Sequence, residues 1–155
     1  DVLFHVEKPK ESAYKIEGLE VASASSGASA EATKEVEVVD IKALLAMGDI
    51  GHGEKVFKKC TACHQIAAGG KNMIGPNLWN VIGRKAGVVA DYKYSKAMIA
   101  YGKEWTYEEM NSYLIKPQAY VKGTKMAFAG LRKEKDRASV ILYMNSKSDN
   151  PKPLP

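Results

Sequence analysis

Two thiols and an imidazole stand within five residues, Cys60-Thr61-Ala62-Cys63-His64. The pattern C-x-x-C-H suits the covalent attachment of a c-type haem. Thiols at this spacing add across the two vinyl groups of one porphyrin edge. The adjacent imidazole then reaches the iron from one face. Cys60 and Cys63 are the chain's only cysteines, so the motif consumes all of them. Rival uses of the motif fit poorly. A structural zinc site needs about four ligands. It would draw on two of His5, His52 and His64, with no second Cys or His pair downstream. A thioredoxin-like C-x-x-C needs a βαβ setting, and the flanks here read as helix. A structural disulfide between residues three apart is disfavoured.

One imidazole leaves the opposite face of the iron to be filled. His52 sits only one helix before the motif, and His5 lies in the N-terminal segment. The methionines are Met47, Met73, Met98, Met110, Met126 and Met144. Met98, Met110 and Met144 fall in predicted helices, where methionine is usually core filler. Met47 sits at a helix end, and Met73 is on the loop that must wrap the haem edge. Met126 lies on a glycine-bounded loop far enough downstream to come round to the other face. Spacing favours Met126 and leaves the other five open. A thioether there favours reduced iron and raises the potential. Pro76, on the Gly75-Pro76-Asn77 loop, is placed to accept the second N–H of His64 through its carbonyl, as metal-bound histidines require. Arg84, in a Gly-Arg-Lys turn, is a candidate partner for a haem propionate.

The elements that must position these residues are helical. Asp40 is expected to cap a short helix with Ile41, Leu44 and Leu45 on one side, ended by Gly48. Asp49 caps a second helix running into the motif, with Gly53, Val56 and Phe57 on one face. The glycine there permits close approach by another helix. Residues 95–101 read as a short helix stopped by Gly102. Thr106 and Glu109 form a capping box that opens the helix 107–115, which Pro117 breaks. The last helix runs from about Lys133 to Lys147, with Ala138, Ile141, Leu142 and Met144 on its apolar side. Pro151 and Pro153 close the tail. The expected organisation is a flexible linker over 1–39, a haem domain over 40–147 and a C-terminal tail over 148–155. The fold class is all-α, and the haem supplies much of the apolar surface that so small a domain lacks.

Charge divides the chain. Its first 46 residues carry nine acidic and five basic side chains, whereas the whole chain is at +5. A basic body implies an acidic partner. Nucleic acid is the usual rival, but there is no basic-aromatic stripe or recognition-helix pattern. Ala22 to Ala32 is almost all Ala, Ser and Gly, a composition that buries no core. As a coil, residues 7–39 would span roughly 30 Å. Val2, Leu3, Phe4 and Val6 read equally as a frayed apolar end or as the last turn of a membrane anchor. No apolar run is long enough to span a bilayer, and no signal peptide is present. The chain starts at Asp1 rather than Met, so a longer precursor is expected. Thioether haem is installed on the oxidising side of a membrane, which points to a periplasm-like compartment.

Residues 49–146 closely resemble the class I cytochrome c family. The resemblance rests on Gly53-Glu54-Lys55-Val56-Phe57-Lys58-Lys59 before the haem motif and on Gly75-Pro76-Asn77-Leu78. It rests also on Gly83-Arg84-Lys85 and on the run from Lys122 through Gly123-Thr124-Lys125-Met126-Ala127-Phe128-Ala129 to Gly130. It implies that fold, one covalent haem c, and His64 and Met126 as axial ligands. It implies Tyr94 and Trp105 as hydrogen-bond donors to a buried propionate, with Arg84 nearby and Thr124 in the haem surroundings. Tyr113 falls beside the methionine sulfur, Phe128 at the exposed haem edge, and Tyr143 against Gly53 and Phe57. Met98 departs from the asparagine common in mitochondrial relatives. Gln118 and Met73 replace lysines. The acidic, Ala/Ser-rich N-terminal segment is similar to that of membrane-anchored bacterial cytochromes c, which implies an upstream helix at the periplasmic face of the inner membrane.

The expected activity is one-electron transfer rather than catalysis, by a monomer, from a quinol–cytochrome c oxidoreductase to a terminal oxidase. Lys59, Lys71, Lys122, Lys125, Arg132 and Lys133 would ring the haem edge and steer acidic partners. Two rivals are a gas- or peroxide-reactive site, opened by release of Met126, and a domain of a larger oxidase or dehydrogenase subunit. Against the first, no distal His or Arg is placed to assist peroxide cleavage. Against the second, the proline-rich end reads as a natural stop.

Overall fold

Short polar side chains open four of the helices, each accepting N–H groups that a helix start leaves unpaired. The computed structural model describes residues 39–155. Asp40 accepts from Lys42 and Ala43 at the head of α1 (Ile41–Ala46), and Asp49 from His52 at α2 (Ile50–Phe57). Ser95 accepts from Met98 at α3 (Lys96–Tyr101), and Thr106 from Glu109 at α4 (Tyr107–Ile115). Pro117 opens α5 (Pro117–Tyr120), where its fixed φ suits the first turn and its missing N–H costs nothing. The last helix is α6 (Glu134–Ser146). Among the described residues there is no strand, only an isolated antiparallel bridge between Lys85 and Glu104. No described helix is long and apolar enough to cross a membrane. The linker expected over 1–39, the apolar start Val2–Val6 and His5 lie, Val39 apart, outside the described residues.

The neighbour that the glycine of α2 admits is α6. A Cβ on Gly53 would sit 2.0 Å from the Ser139 carbonyl oxygen and 2.8 Å from Tyr143 Cβ, so only glycine allows this crossing. Phe57 then packs on Tyr143 with ring centroids 5.4 Å apart. Val56, Phe57 and Ile141 are each at most 5% exposed, and burial of each such side chain contributes about 1.5–3 kcal/mol. His52 and Asp136 tie the same two helices at 2.7 Å.

Two local expectations change. The capping box at Thr106 closes on one side only. Its hydroxyl accepts the Glu109 N–H at 3.1 Å, but the Glu109 carboxylate is taken by Tyr101, Tyr120 and Lys103. The Thr106 N–H goes instead to the Glu104 carbonyl. The second change concerns α6, whose apolar side was expected at Ala138, Ile141, Leu142 and Met144. Arg137, Ser139, Val140, Tyr143 and Asn145 are buried as well, and Leu142 only half so. The reason is that α1, α2 and α4 all pack against this one helix.

Beyond α6 the chain has no helix, yet its polar atoms are occupied. Asp149 accepts from Trp79 Nε1 at 3.0 Å and Asn80 Nδ2 at 2.9 Å. The Lys152 N–H donates to Asn145 Oδ1, and its carbonyl accepts from Asn145 Nδ2 and the Tyr107 hydroxyl.

Candidate functional site

The irregular segment after α2 builds one wall of a cavity. Backbone bonds fold it tightly: the N–H groups of Cys63 and His64 both reach the Cys60 carbonyl, and the Gly75 N–H reaches that of Cys63. His64 is buried, and its Nδ1 donates to the Pro76 carbonyl at 2.8 Å. A carbonyl can only accept, so Nδ1 carries the proton and Nε2 keeps its lone pair. Burial lowers the pKa of the imidazole, the Pro76 bond partly opposes that, and Arg84 adds to the lowering. The neutral ring is therefore the stable form at neutral pH. Gly75 makes room for it, since a Cβ there would lie 2.2 Å from His64 Cε1.

The opposite wall belongs to the loop between α5 and α6. The Thr124 hydroxyl and the Tyr113 hydroxyl lie 3.1 Å apart, and Thr124 Oγ1 accepts the Met126 N–H at 3.3 Å. The loop closes at Gly130, whose φ is +100° and where a Cβ would lie 1.9 Å from the Ile115 carbonyl oxygen. The Leu131 N–H donates to the Leu114 carbonyl. Buried Arg137 donates to the carbonyls of Leu131 and Arg132 and to Asn111 Oδ1.

Between the walls is a cavity of about 360 Å³, within the range of cofactor pockets. Cys60, Cys63, His64, Pro76 and Met126 line it. So do Arg84, Tyr94, Trp105, Tyr113, Thr124 and Phe128. Of the candidate docking residues, Lys59 and Lys125 stand in the cavity wall, while Lys71, Lys122, Arg132 and Lys133 are exposed elsewhere. Sequence reasoning missed the apolar remainder, including Val81, Leu114, Leu131 and Val140. Nothing in the sequence separates apolar residues that face a cofactor from those that face each other. Met98, Met110 and Met144, read as core filler, are buried and also line the cavity. Met47 and Met73 are exposed.

The polar lining fits a haem. Both cysteines are unbridged. In the unmodified side chain, burial and then Cys63 push the Cys60 thiol up to about 11, against an opposing effect of Lys59. Arg84 donates to the Trp79 carbonyl at 2.7 Å and the Asn77 carbonyl at 3.1 Å. Among the described residues no carboxylate pairs with it. A half-buried cation on the wall of an apolar cavity, offset only by carbonyls, suits an anionic group bound beside it. Burial lowers its pKa and the Tyr94 phenol opposes that. The Tyr94 hydroxyl accepts the Val89 N–H at 3.2 Å. Trp105 packs in tilted contact with both Tyr101 and Tyr113, ring centroids 5.3 and 4.9 Å away.

The family pattern for Cytochrome c matches residues 50–148. The chain belongs to the cytochrome c family. A cytochrome c homolog of Bradyrhizobium diazoefficiens is 37% identical to it, across the whole of this chain and 83% of that protein. A cytochrome c2 of Afifella marina is 43% identical over 63% of this chain and 81% of its own length. The cytochrome c-type cyt cy of Rhodobacter capsulatus is 46% identical over 70% of this chain and 54% of its own length. Among solved structures, cytochrome cH from Methylobacterium extorquens superposes with a TM-score of 0.61 at 40% identity, covering 64% of this chain and all of that one. This cytochrome c carries one haem c, covalently attached at the Cys60/Cys63 motif. It is an electron carrier and not an enzyme.

Proposed function

We propose that this cytochrome c holds its haem iron between His64 and Met126 and passes single electrons between membrane-bound respiratory complexes, from a quinol–cytochrome c oxidoreductase to a terminal oxidase. One observation carries the reading. A single cavity gathers both attachment cysteines, a neutral imidazole with its Nδ1 already bound, and the braced loop of Met126. Bound there, the haem supplies a one-electron Fe(III)/Fe(II) couple. His64 would be oriented by the Pro76 carbonyl. Met126 would be held by Thr124 and Tyr113, and Arg84, with Tyr94 and Trp105, would meet the propionates.

Lys59 and Lys125 border the cavity, and the exposed Lys71, Lys122, Arg132 and Lys133 extend the basic surface. Such a surface speeds encounter with acidic partners. The electron-transfer rate is therefore expected to fall as ionic strength rises from 10 to 200 mM (roughly, the Debye length shrinks from 30 to below 8 Å). A site on the periplasmic face of an inner membrane, tethered by an upstream helix, follows from the haem chemistry and the acidic Ala/Ser-rich N-terminal segment. Fractionation of the full gene product after an alkaline wash tests it, and recovery in the soluble fraction would refute the tether.

The optical spectrum of the haem-loaded protein tests the ligation. A sulfur-to-iron charge-transfer band when oxidised, with no carbon monoxide uptake when reduced, is the expected result. Rapid carbon monoxide binding without that band would mean an open iron, and the carrier assignment of Met126 would fall.

A further inference from the structure

The eight residues after Lys147 do more than trail from the last helix. Arg84 has its guanidinium aimed by two carbonyls, those of Asn77 and Trp79. Asn77 is fixed from within the domain, its N–H on Asn72 Oδ1 and its Nδ2 on the Ala67 carbonyl. The Trp79 N–H is likewise held from within, on Asn77 Oδ1 at 2.7 Å, but the Trp79 indole and the Asn80 side chain are held by the C-terminal segment. Asp149 accepts from both side chains. Asn80 Oδ1 accepts the Ser148 hydroxyl and the Asp149 N–H, each at 2.8 Å, and the Asn80 N–H reaches the Lys147 carbonyl at 3.1 Å. Asn80 has φ +59°, a conformation that costs an ordinary residue energy and that these bonds over-determine. Three residues on, Lys152 clamps the other end of the same turn. Its stem lies over Gly83, where a Cβ would be 2.1 Å from Lys152 Cε. Lys152 itself is anchored to α6 through Asn145 and to α4 through Tyr107.

We infer that residues 148–152 form a strap that positions Arg84 toward the haem, and so help to set the reduction potential. The inference rests on the reading of Arg84 as a propionate partner. A cation beside the haem disfavours the extra positive charge of the oxidised state and raises the potential. Loosening the Trp79 carbonyl frees the guanidinium to turn to solvent, so the potential falls. Direct removal of the Asp149 charge acts in the opposite direction, because a lost anion raises the potential. The two effects therefore differ in sign.

The test is the midpoint potential of the haem-loaded chain from pH 5 to 9 in Arg84→Gln, Trp79→Phe, Asp149→Ala and the two doubles with Arg84→Gln. Trp79→Phe breaks the strap bond without changing charge. It should lower the potential in the same direction as Arg84→Gln and by less. In Asp149→Ala the two effects oppose, so it should leave the potential lower than its direct charge effect alone would, which is read from the same substitution made on the Arg84→Gln background. In the Arg84→Gln background neither should lower it further. An unmoved potential in Trp79→Phe with only a lower Tm, or an equal change for Asp149→Ala with and without Arg84→Gln, would make the strap merely structural and overturn the inference. If Arg84→Gln itself leaves the potential unmoved, the propionate reading of Arg84 fails and the strap inference falls with it. Asp149 is exposed, so its variant carries the test should Trp79→Phe not take up haem.

Discussion

The two walls of the haem cavity are built by different means. The His64 wall is tied by main-chain bonds and by the absence of a side chain at Gly75. Its imidazole is aimed by a backbone carbonyl that no point substitution removes. The Met126 wall hangs between two anchors and is held in its middle by hydroxyls on Thr124 and Tyr113. Backbone locks are all-or-none, whereas side-chain braces are graded. The first wall should therefore tolerate almost no change, and the second should respond in steps.

The largest effect should come from Gly75→Val, which drives a branched side chain into the imidazole. We expect a loss of about 3 kcal/mol and failure to accumulate holoprotein, measured by denaturant unfolding and the haem-to-protein absorbance ratio. A variant that loads haem normally would show the first wall to be as adaptable as the second. Met126→Ala should cost about 2 kcal/mol and still load haem. On the proposed ligation it also exposes the iron, so the reduced protein should take up carbon monoxide.

Glu109 braces the approach to the second wall, because it receives the hydroxyls of Tyr101 on α3 and Tyr120 on α5 together with Lys103. Burial alone would raise its pKa, but the three hydrogen bonds outweigh it and hold the carboxyl below the ordinary 4.5. A depressed folded-state value stabilises the fold above the unfolded pKa and is lost as pH falls through the folded one. Glu109→Gln should therefore cost about 1.5 kcal/mol at pH 7, and the gap to the parent should close on acidification below 4.5. A constant gap across that range in urea titrations would rule out the ionised carboxylate as its source. The smallest step is Tyr113→Phe, which removes one hydroxyl from the brace. It should cost about 1 kcal/mol and lower the pH at which the sulfur-to-iron band disappears, with haem loading unchanged.

Much of the helical frame and of the first wall was legible in the sequence because the determinants are local. The motif at Cys60–His64, the caps Asp40, Asp49 and Thr106, and the glycine at 53 each act within a turn or on a single face. What escaped was set by partners distant in sequence. The diversion of Glu109 away from its capping box needs Tyr101 and Tyr120, which only the fold brings beside it. The engagement of Asp149 with Trp79 and Asn80 spans most of the domain, and nothing in Ser148-Asp149-Asn150 announces it. The clash that makes Gly75 obligatory is with a side chain eleven positions earlier, whose ring orientation the sequence does not encode. The methionines were only half separable. An unbranched thioether fills a gap against protein or against a cofactor equally well, so Met98, Met110 and Met144 carry no local mark of the cavity they face.

The crossing of α2 and α6 at Gly53 has a consequence for how this domain comes to exist. These helices are joined by nearly the whole intervening chain, and that chain includes both cavity walls. Bringing its ends together must be paid in loop-closure entropy before any wall has an opposite face to pack on. The polypeptide therefore has high contact order for an all-helical protein and should acquire its structure slowly and in one cooperative step. A truncated chain lacking the last helix, or one still emerging on the oxidising side of the membrane, should present the Cys60–His64 segment as an open peptide, the state in which an attachment enzyme can reach both thiols.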